Sequence, residues 1–321
     1  MDYGQQMQQA RDNALVGLYQ NPGYQFERRE KKTVLLDISS GIDTDMPTEF
    51  NVQLLEPLIV DRLSDVYLDS FTTFNALVNT STTGENIGFT LKINEFNESC
   101  FTVHFLKEKD IFVDIGANVG HYTLLASGIS GCRTIAIEPI PLTFKKLKQN
   151  ISLNNLNSKT TLYNIGLGST EGKLFFNVVE NNALSHVSSE NYSDGIEIPS
   201  TTLSSLLVKI KPKMLKIDVE GYEYEVLKGA NNLLREPSLE VLIIEINEHG
   251  TRYGVSEEVT MRYIESFGFK PFAYLPFKRT LKAITIPNRK SENIIYLKNE
   301  NAVRMQLLKG QKIIINSRLW I

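Results

Sequence analysis

Four short runs set the pattern over the second two-thirds of this chain: IFVDI at 111–115, TIAIE at 134–138, LKIDV at 215–219 and VLIIEI at 241–246. Each is apolar on nearly every position instead of alternating, as strands buried on both faces of a parallel sheet are. Further strands are expected at 161–165, 272–275 and 294–297. The segments 121–130, 141–154, 222–234 and 256–267 read as helices. Strands that alternate with helices imply a doubly wound α/β fold, whose ligands sit at the carboxyl ends of the strands.

Upstream of residue 101 the pattern changes. The first 20 residues suit a short polar helix, and extended runs follow at 33–38, 53–60, 65–74 and 87–96. Turn-rich pieces, SSGIDTD and NTSTTGEN, separate those runs, so a smaller β-rich module is expected there. Charge divides the chain at the same place. Residues 1–100 hold 7 Lys and Arg against 15 Asp and Glu, whereas the remainder holds 27 against 22. An acidic, β-rich module over 1–100 and an α/β domain over 101–321 is the division this implies. The stretch VYLDSFTTFNALVN has a faint likeness to β-rich virion structural proteins of large DNA viruses, and no residue role is carried over from it.

The whole chain of 321 residues carries a net charge of −3, which gives no case for nucleic-acid binding. Its start, MDYGQQMQQARDN, has no secretory pattern, and no stretch is long and apolar enough for a membrane span. Two cysteines, Cys100 and Cys132, form no disulfide framework and no metal-ligand spacing, which fits reduced thiols and a cytoplasmic location.

Candidate chemistry gathers at strand ends. Between IFVDI and the following helix lie Asp114, Gly116, Asn118 and Gly120, turn-formers that let the backbone come close to something. The unpaired N–H groups of a helix start commonly hold an anionic or polar ligand. Glu138 closes TIAIEP, where a carboxylate can accept both hydroxyls of a ribose. Asp218 and Glu220 close LKIDVEG, and Glu245 stands late in VLIIEIN. Carboxylates at the ends of buried strands are costly unless they meet water, a ligand or a partner. The dinucleotide fingerprint needs further glycines where Asn118 and His121 stand, and no phosphate-binding P-loop run occurs. The arrangement suits an adenosyl ligand whose amino-acid end lies against the turn.

Taken together, FVDIGANVGHYTLLA, IAIEPIP, LKQNISLNN, GLGSTEGKLFF, LKIDVEGYEYEVLKGA and IIEIN resemble the FkbM-type S-adenosylmethionine-dependent methyltransferases over residues 101–300, and SENIIYLKNE is similar to that family's closing strand. The resemblance implies a class I methyltransferase (Rossmann-like) sheet of seven strands, mostly parallel, with helices on both faces and the last strand antiparallel. It implies O-methylation of a hydroxyl on a sugar, glycan or related small molecule. By position, Asp114, Gly116, Asn118 and Gly120 would surround the methionine portion of the cofactor and Glu138 would hold the ribose, with Pro139 turning the chain away. Asn164, Ile165 and Gly166 would pack the adenine, and Asp218 and Glu220 would face the methyl group.

A sugar hydroxyl needs a base or a metal to help remove its proton. Asp218 and Glu220 could act as base or hold a divalent ion; no residue is assigned to a metal on sequence grounds. The polar loop 179–199 suits a substrate lid and contains His186, a further base candidate. His104, His121 and His249 read as packing or surface residues, and the YEYE run at 222–225 as a helix start with acids near its positive end. Two other readings compete: a nicotinamide-dependent oxidoreductase on a similar sheet, and a structural or interaction protein carrying an inactive methyltransferase-like domain.

Overall fold

A computed structural model of the chain describes residues 95–177, 186–188, 195–285 and 293–310. It also describes the backbone of short strands at Thr33–Asp37, Glu49–Gln53, Ile59–Val60, Asp65–Asp69, Asn75–Asn79, Ile314–Asn316 and Leu319–Trp320. The upstream strands pair antiparallel, Thr33–Asp37 with Glu49–Gln53 and Asp65–Asp69 with both neighbours. The helix expected in the first 20 residues lies outside the described residues, as does the run 87–94.

The α/β body opens with α1 (Phe96–Phe105), then β1 (Ile111–Ile115), α2 (His121–Leu124, extended by a π turn over Leu125–Ile129), β2 (Arg133–Ile137), α3 (Pro141–Leu153) and β3 (Thr160–Tyr163). Four short strands follow, β4 (Gly166–Leu167), β5 (Gly172–Asn177), β6 (His186–Ser188) and β7 (Ile196–Thr201), and then α4 (Leu203–Leu206). The chain returns through β8 (Met214–Ile217), α5 (Glu223–Gly229), α6 (Asn231–Arg235), β9 (Val241–Glu245), α7 (Glu257–Glu265), β10 (Lys270–Leu275), β11 (Thr280–Ala283), β12 (Asn293–Leu297) and α8 (Glu300–Leu308).

The main sheet has the order β11-β10-β12-β9-β8-β1-β2-β3. The five strands from β9 to β3 are parallel, and β12 inserts antiparallel between β9 and β10. The mostly parallel sheet with its last strand antiparallel is as the sequence resemblance implied, with one correction. A hairpin after β10 adds an eighth edge strand, β11, pairing Leu275 with Thr280.

Alternation along the strands sorts the core into two layers. Phe112, Met214, Val241 and Ile243 face α1, α2, α3 and α8, whereas Val113, Ile115, Leu215, Ile217 and Leu242 face α4 to α7. Full burial of each such aliphatic side chain is worth about 1.5–3 kcal/mol.

Helix α1 corrects two expectations at once. The run 87–96 was to be extended, yet Phe96 begins a helix. The expected module division between residues 100 and 101 falls inside that helix, where Cys100, Phe101, Val103 and Phe105 are buried in the same core as β1. The α/β body therefore includes all of α1. A period-3.6 pattern is weak there because α1 is buried nearly all round, so its apolar positions form no stripe.

The strands β4 to β7 form a second, four-stranded sheet in the order β6-β5-β7-β4. Only parts of the polar loop 179–199 are described, and those parts are strand: His186–Ser188 and the start of Ile196–Thr201. Among the described residues no helix is long and apolar enough to cross a membrane.

Candidate active site

Where β1, β2 and β8 end, the chain leaves a cavity of about 800 Å³ including its open mouth. Its floor is the turn after β1 and its sides are the ends of β2 and β8. The second sheet supplies an apolar wall through Leu167, Phe176 and Val187, with Ile140 and Tyr222 beside them.

The turn after β1 is stitched to β2 instead of offering its amides to a ligand. Gly116 N–H and Ala117 N–H both donate to the Ile137 carbonyl at 3.0 Å, and Asn118 N–H donates to Glu138 Oε2 at 3.0 Å. Gly120 N–H donates to the Ala117 carbonyl at 2.8 Å. Gly116 has φ +75, and a Cβ there would stand 1.7 Å from the Asp218 carbonyl oxygen. Glycine is thus required first by the close passage of β8's end, which also lets Asp218 N–H bond the Ile115 carbonyl at 3.0 Å.

Of the residues singled out from the sequence, Gly116, Asn118, Glu138, Pro139, Ile165, Asp218 and Glu220 line the cavity. Asp114 does not. It is 1 % exposed, lies behind the turn, and accepts a 2.6 Å hydrogen bond from Thr123 Oγ1, bracing α2 against β1. Burial pushes its pKa up to about 6, against the lowering by Thr123 and Lys216. Gly120 also stands off the cavity, against Leu147. Asn164 is exposed and donates to the carbonyls of Glu138 and Pro139 at 2.8 Å each, so it shapes the chain after β2. Gly166 packs against Leu174 and Ser200 in the second sheet. His186 lies on β6 next to Val187, and it is Val187 that faces the cavity, as alternation along a strand requires.

Glu138 is 5 % exposed, with Oε2 on Asn118 N–H and Oε1 on Ile140 N–H at 2.9 Å. Burial raises its pKa to about 7, the two amides pull it back, and Asp114 and Asp218 push it up further. Each oxygen retains a second lone pair for a hydroxyl donor.

Across the cavity stands an acidic cluster. Carboxylate oxygens of Asp218, Glu220 and Glu245 lie within 4.8 Å of one another, a spacing that a divalent cation or a shared proton relieves. Burial, then Asp218 and Glu220, raise the pKa of Glu245 to about 9, so in the absence of a cation it holds a proton near neutrality. His249 Nδ1 lies 3.3 Å from Glu220 Oε2, so this histidine belongs to the cluster and not to the general surface. Glu223, in the YEYE run, starts α5 as expected and accepts from Val219 N–H and Gly221 N–H, fixing the turn that carries Glu220.

Sequence reading missed Lys216. It sits mid-strand in β8 at 1 % exposure, with Nζ 2.9 Å from Asp218 Oδ2 and 2.8 Å from Asn293 Oδ1. Burial pulls its pKa down, but Asp218 and Glu95 outweigh that and hold it above the ordinary lysine value. A charged residue inside an otherwise apolar strand, LKIDV, was the available signal.

The chain is similar to several known proteins. Residues 114–271 match the methyltransferase FkbM domain. The hexuronic acid methyltransferase AglP of Haloferax volcanii is 32% identical over 143 residues, 44% of this chain and 57% of that protein. Methyltransferase sdnD of Sordaria araneosa is 26% identical, covering 42% of this chain and 66% of its own length. The chain thus spans less than two thirds of either relative. A crystal structure of methyltransferase FkbM from Methylobacillus flagellatus KT aligns with 62% of this chain and 47% of that chain, with 18% identity and a TM-score of 0.42. Residues 114–271, just under half of the chain, thus carry its similarity to the methyltransferase FkbM domain.

Proposed function

We propose that the protein is an S-adenosylmethionine-dependent O-methyltransferase whose acceptor is a hydroxyl of a sugar, glycan or related small molecule. The observation that carries the reading is the placement of two strand-end carboxylates, Glu138 and Asp218, on opposite sides of one cavity whose floor is the Gly116 turn. The residues present fit the cofactor. Glu138 has acceptor capacity left for a ribose diol, Ile140, Leu167 and Phe176 give an apolar wall for a flat base, and the acids near Asp218 favour a cation. The name of the Haloferax volcanii relative supports a sugar acceptor.

S-adenosylmethionine, when bound, supplies an electrophilic methyl group on a positively charged sulfur. The protein's part is then alignment and proton removal. Asp218, which lines the cavity, would accept the proton of the acceptor hydroxyl. Glu220, held by the Glu223-capped turn and beside His249, keeps the local field negative. The second-sheet wall keeps water from the apolar side of the cavity.

The reading is tested by calorimetry with S-adenosylmethionine, followed by transfer of labelled methyl to a panel of hexuronic acid glycosides and neutral hexosides. Binding with transfer to at least one of these supports it. No binding at millimolar cofactor removes it.

A further inference from the structure

We propose that Lys216 is a positioning residue, whose buried ammonium fixes one oxygen of Asp218 so that the other is presented to the cavity; this rests on the reading of Asp218 given above. Among the described residues four groups surround the Lys216 ammonium: Asp218 Oδ2 at 2.9 Å, Asn293 Oδ1 at 2.8 Å, Glu95 Oε2 at 3.9 Å and the Tyr122 ring, whose centroid is 5.3 Å away. Tyr122 in turn donates its hydroxyl to Glu95, so α1, α2, β8 and β12 all converge on one nitrogen. Of these four partners only Asp218 lines the cavity. Its Oδ2 is held by the ammonium, while Oδ1 is bonded to no other described residue.

Stability does not account for such a lysine. Replacing a buried ion pair by apolar side chains of similar volume is often neutral or stabilising, and β8 is otherwise apolar. A charge-assisted bond to a single carboxylate oxygen does what an apolar residue there would not: it sets the carboxylate's rotation and so the direction of the free lone pairs. In a displacement that depends on alignment, a shift of about 1 Å can cost 10²-fold. Lys216 touches neither the cavity nor anything in it, so its action runs through Asp218.

The test uses the full chain with Lys216→Met, which keeps length and removes the charge, and Lys216→Gln, which restores a neutral donor. Asp218→Asn serves as the control. Crystal structures of wild type and Lys216→Met read the position of the Asp218 carboxylate, calorimetry reads S-adenosylmethionine affinity, and labelled-methyl transfer to a methyl glucuronoside and a methyl glucoside reads turnover. The expected result is a rotated or split Asp218 carboxylate in Lys216→Met, cofactor affinity within about threefold, and turnover lowered about 10- to 100-fold with the acceptor KM little changed. Lys216→Gln should recover part of that turnover. An Asp218 carboxylate in the same place in Lys216→Met, or undiminished turnover in Lys216→Met when Asp218→Asn is inactive, overturns the positioning role. Full turnover in Asp218→Asn instead overturns the reading of Asp218. Should neither sugar accept methyl, the carboxylate's position in the crystals still decides.

Discussion

Glu138 and Asp218 each end a parallel strand and each line the same cavity, yet the protein holds them by opposite means. Glu138 is 5 % exposed and gripped by two backbone amides, neutral donors that lower its pKa only part of the way back from what burial imposes. The Asp218 side chain is 28 % exposed and held by a full ammonium charge. The first arrangement fixes a carboxyl group in a dry setting, suited to recognition of a diol. The second sets a carboxylate against an ammonium beside open space, an arrangement suited to taking a proton. Similar sequence signals, an acid closing an apolar run, are therefore held in two different ways, and the holding group tells them apart.

The comparison breaks most sharply at Asp218. Asp218→Asn keeps the shape and removes the charge, and turnover should fall on the order of 10²–10⁴ with cofactor binding near normal. Labelled-methyl transfer and calorimetry on the same sample check this, and a loss confined to affinity would move Asp218 to the binding side of the comparison. Glu220→Gln should follow the same pattern more weakly.

Gly116→Val probes the floor between the two carboxylates. A Cβ 1.7 Å from the Asp218 carbonyl oxygen, at positive φ, forces β1 and β8 apart at their ends. The cost should be about 3 kcal/mol or more, lowering Tm by roughly 6–12 °C, which thermal melting without cofactor reads directly. Unchanged Tm with lost cofactor binding would instead mean that the residue faces only the ligand.

Glu138→Ala should weaken S-adenosylmethionine about 10- to 100-fold, the loss of a charge-assisted contact of roughly 1.5–3 kcal/mol. It also strips the acceptor from Asn118 N–H and Ile140 N–H, so a lower Tm should accompany it. Glu138→Gln, which keeps an acceptor, should restore Tm more than affinity; equal recovery of both would show that the amides, not the ligand, are what Glu138 serves.

The smallest effect is that of pH. Burial raises the folded-state pKa of Glu98, Glu138 and Glu223 from 4.5 to about 7, and that of Asp114 from 3.8 to about 6. Between those limits the folded protein binds more protons than the unfolded chain, so this stability is full below the unfolded values and fades as pH rises through the folded ones. Cofactor-free protein should melt lower at pH 8 than at pH 6, by differential scanning calorimetry. In Glu138→Gln the difference should shrink.

The apolar runs 111–115, 134–138, 215–219 and 241–246 were legible as strands because burial on both faces leaves a signal within each five-residue window. The glycine turn and the closing acids were legible for the same local reason. Helix α1 was not, since its burial on all sides removes the stripe that marks a helix. Nor was the second sheet, whose strands of two to six residues carry little pattern of their own.

What the sequence determined by itself is the strand-and-helix alternation, the position of each acid at a strand end and the family likeness that those motifs carry. Only the tertiary structure decided how each of those acids is held. The amides that grip Glu138 come from the turn after β1 and the segment entering α3, and the ammonium beside Asp218 is steadied by Asn293 from the far end of the chain. Gly116 likewise looked like a ligand contact until β8 was seen to pass against it. Hydrogen bonds and close approach act over about 3 Å of space between residues far apart in the chain, such as Lys216 and Asn293, 77 positions apart. A local pattern can place a carboxylate at the edge of a sheet, but the partner that fixes its charge and direction arrives only when the strands are paired.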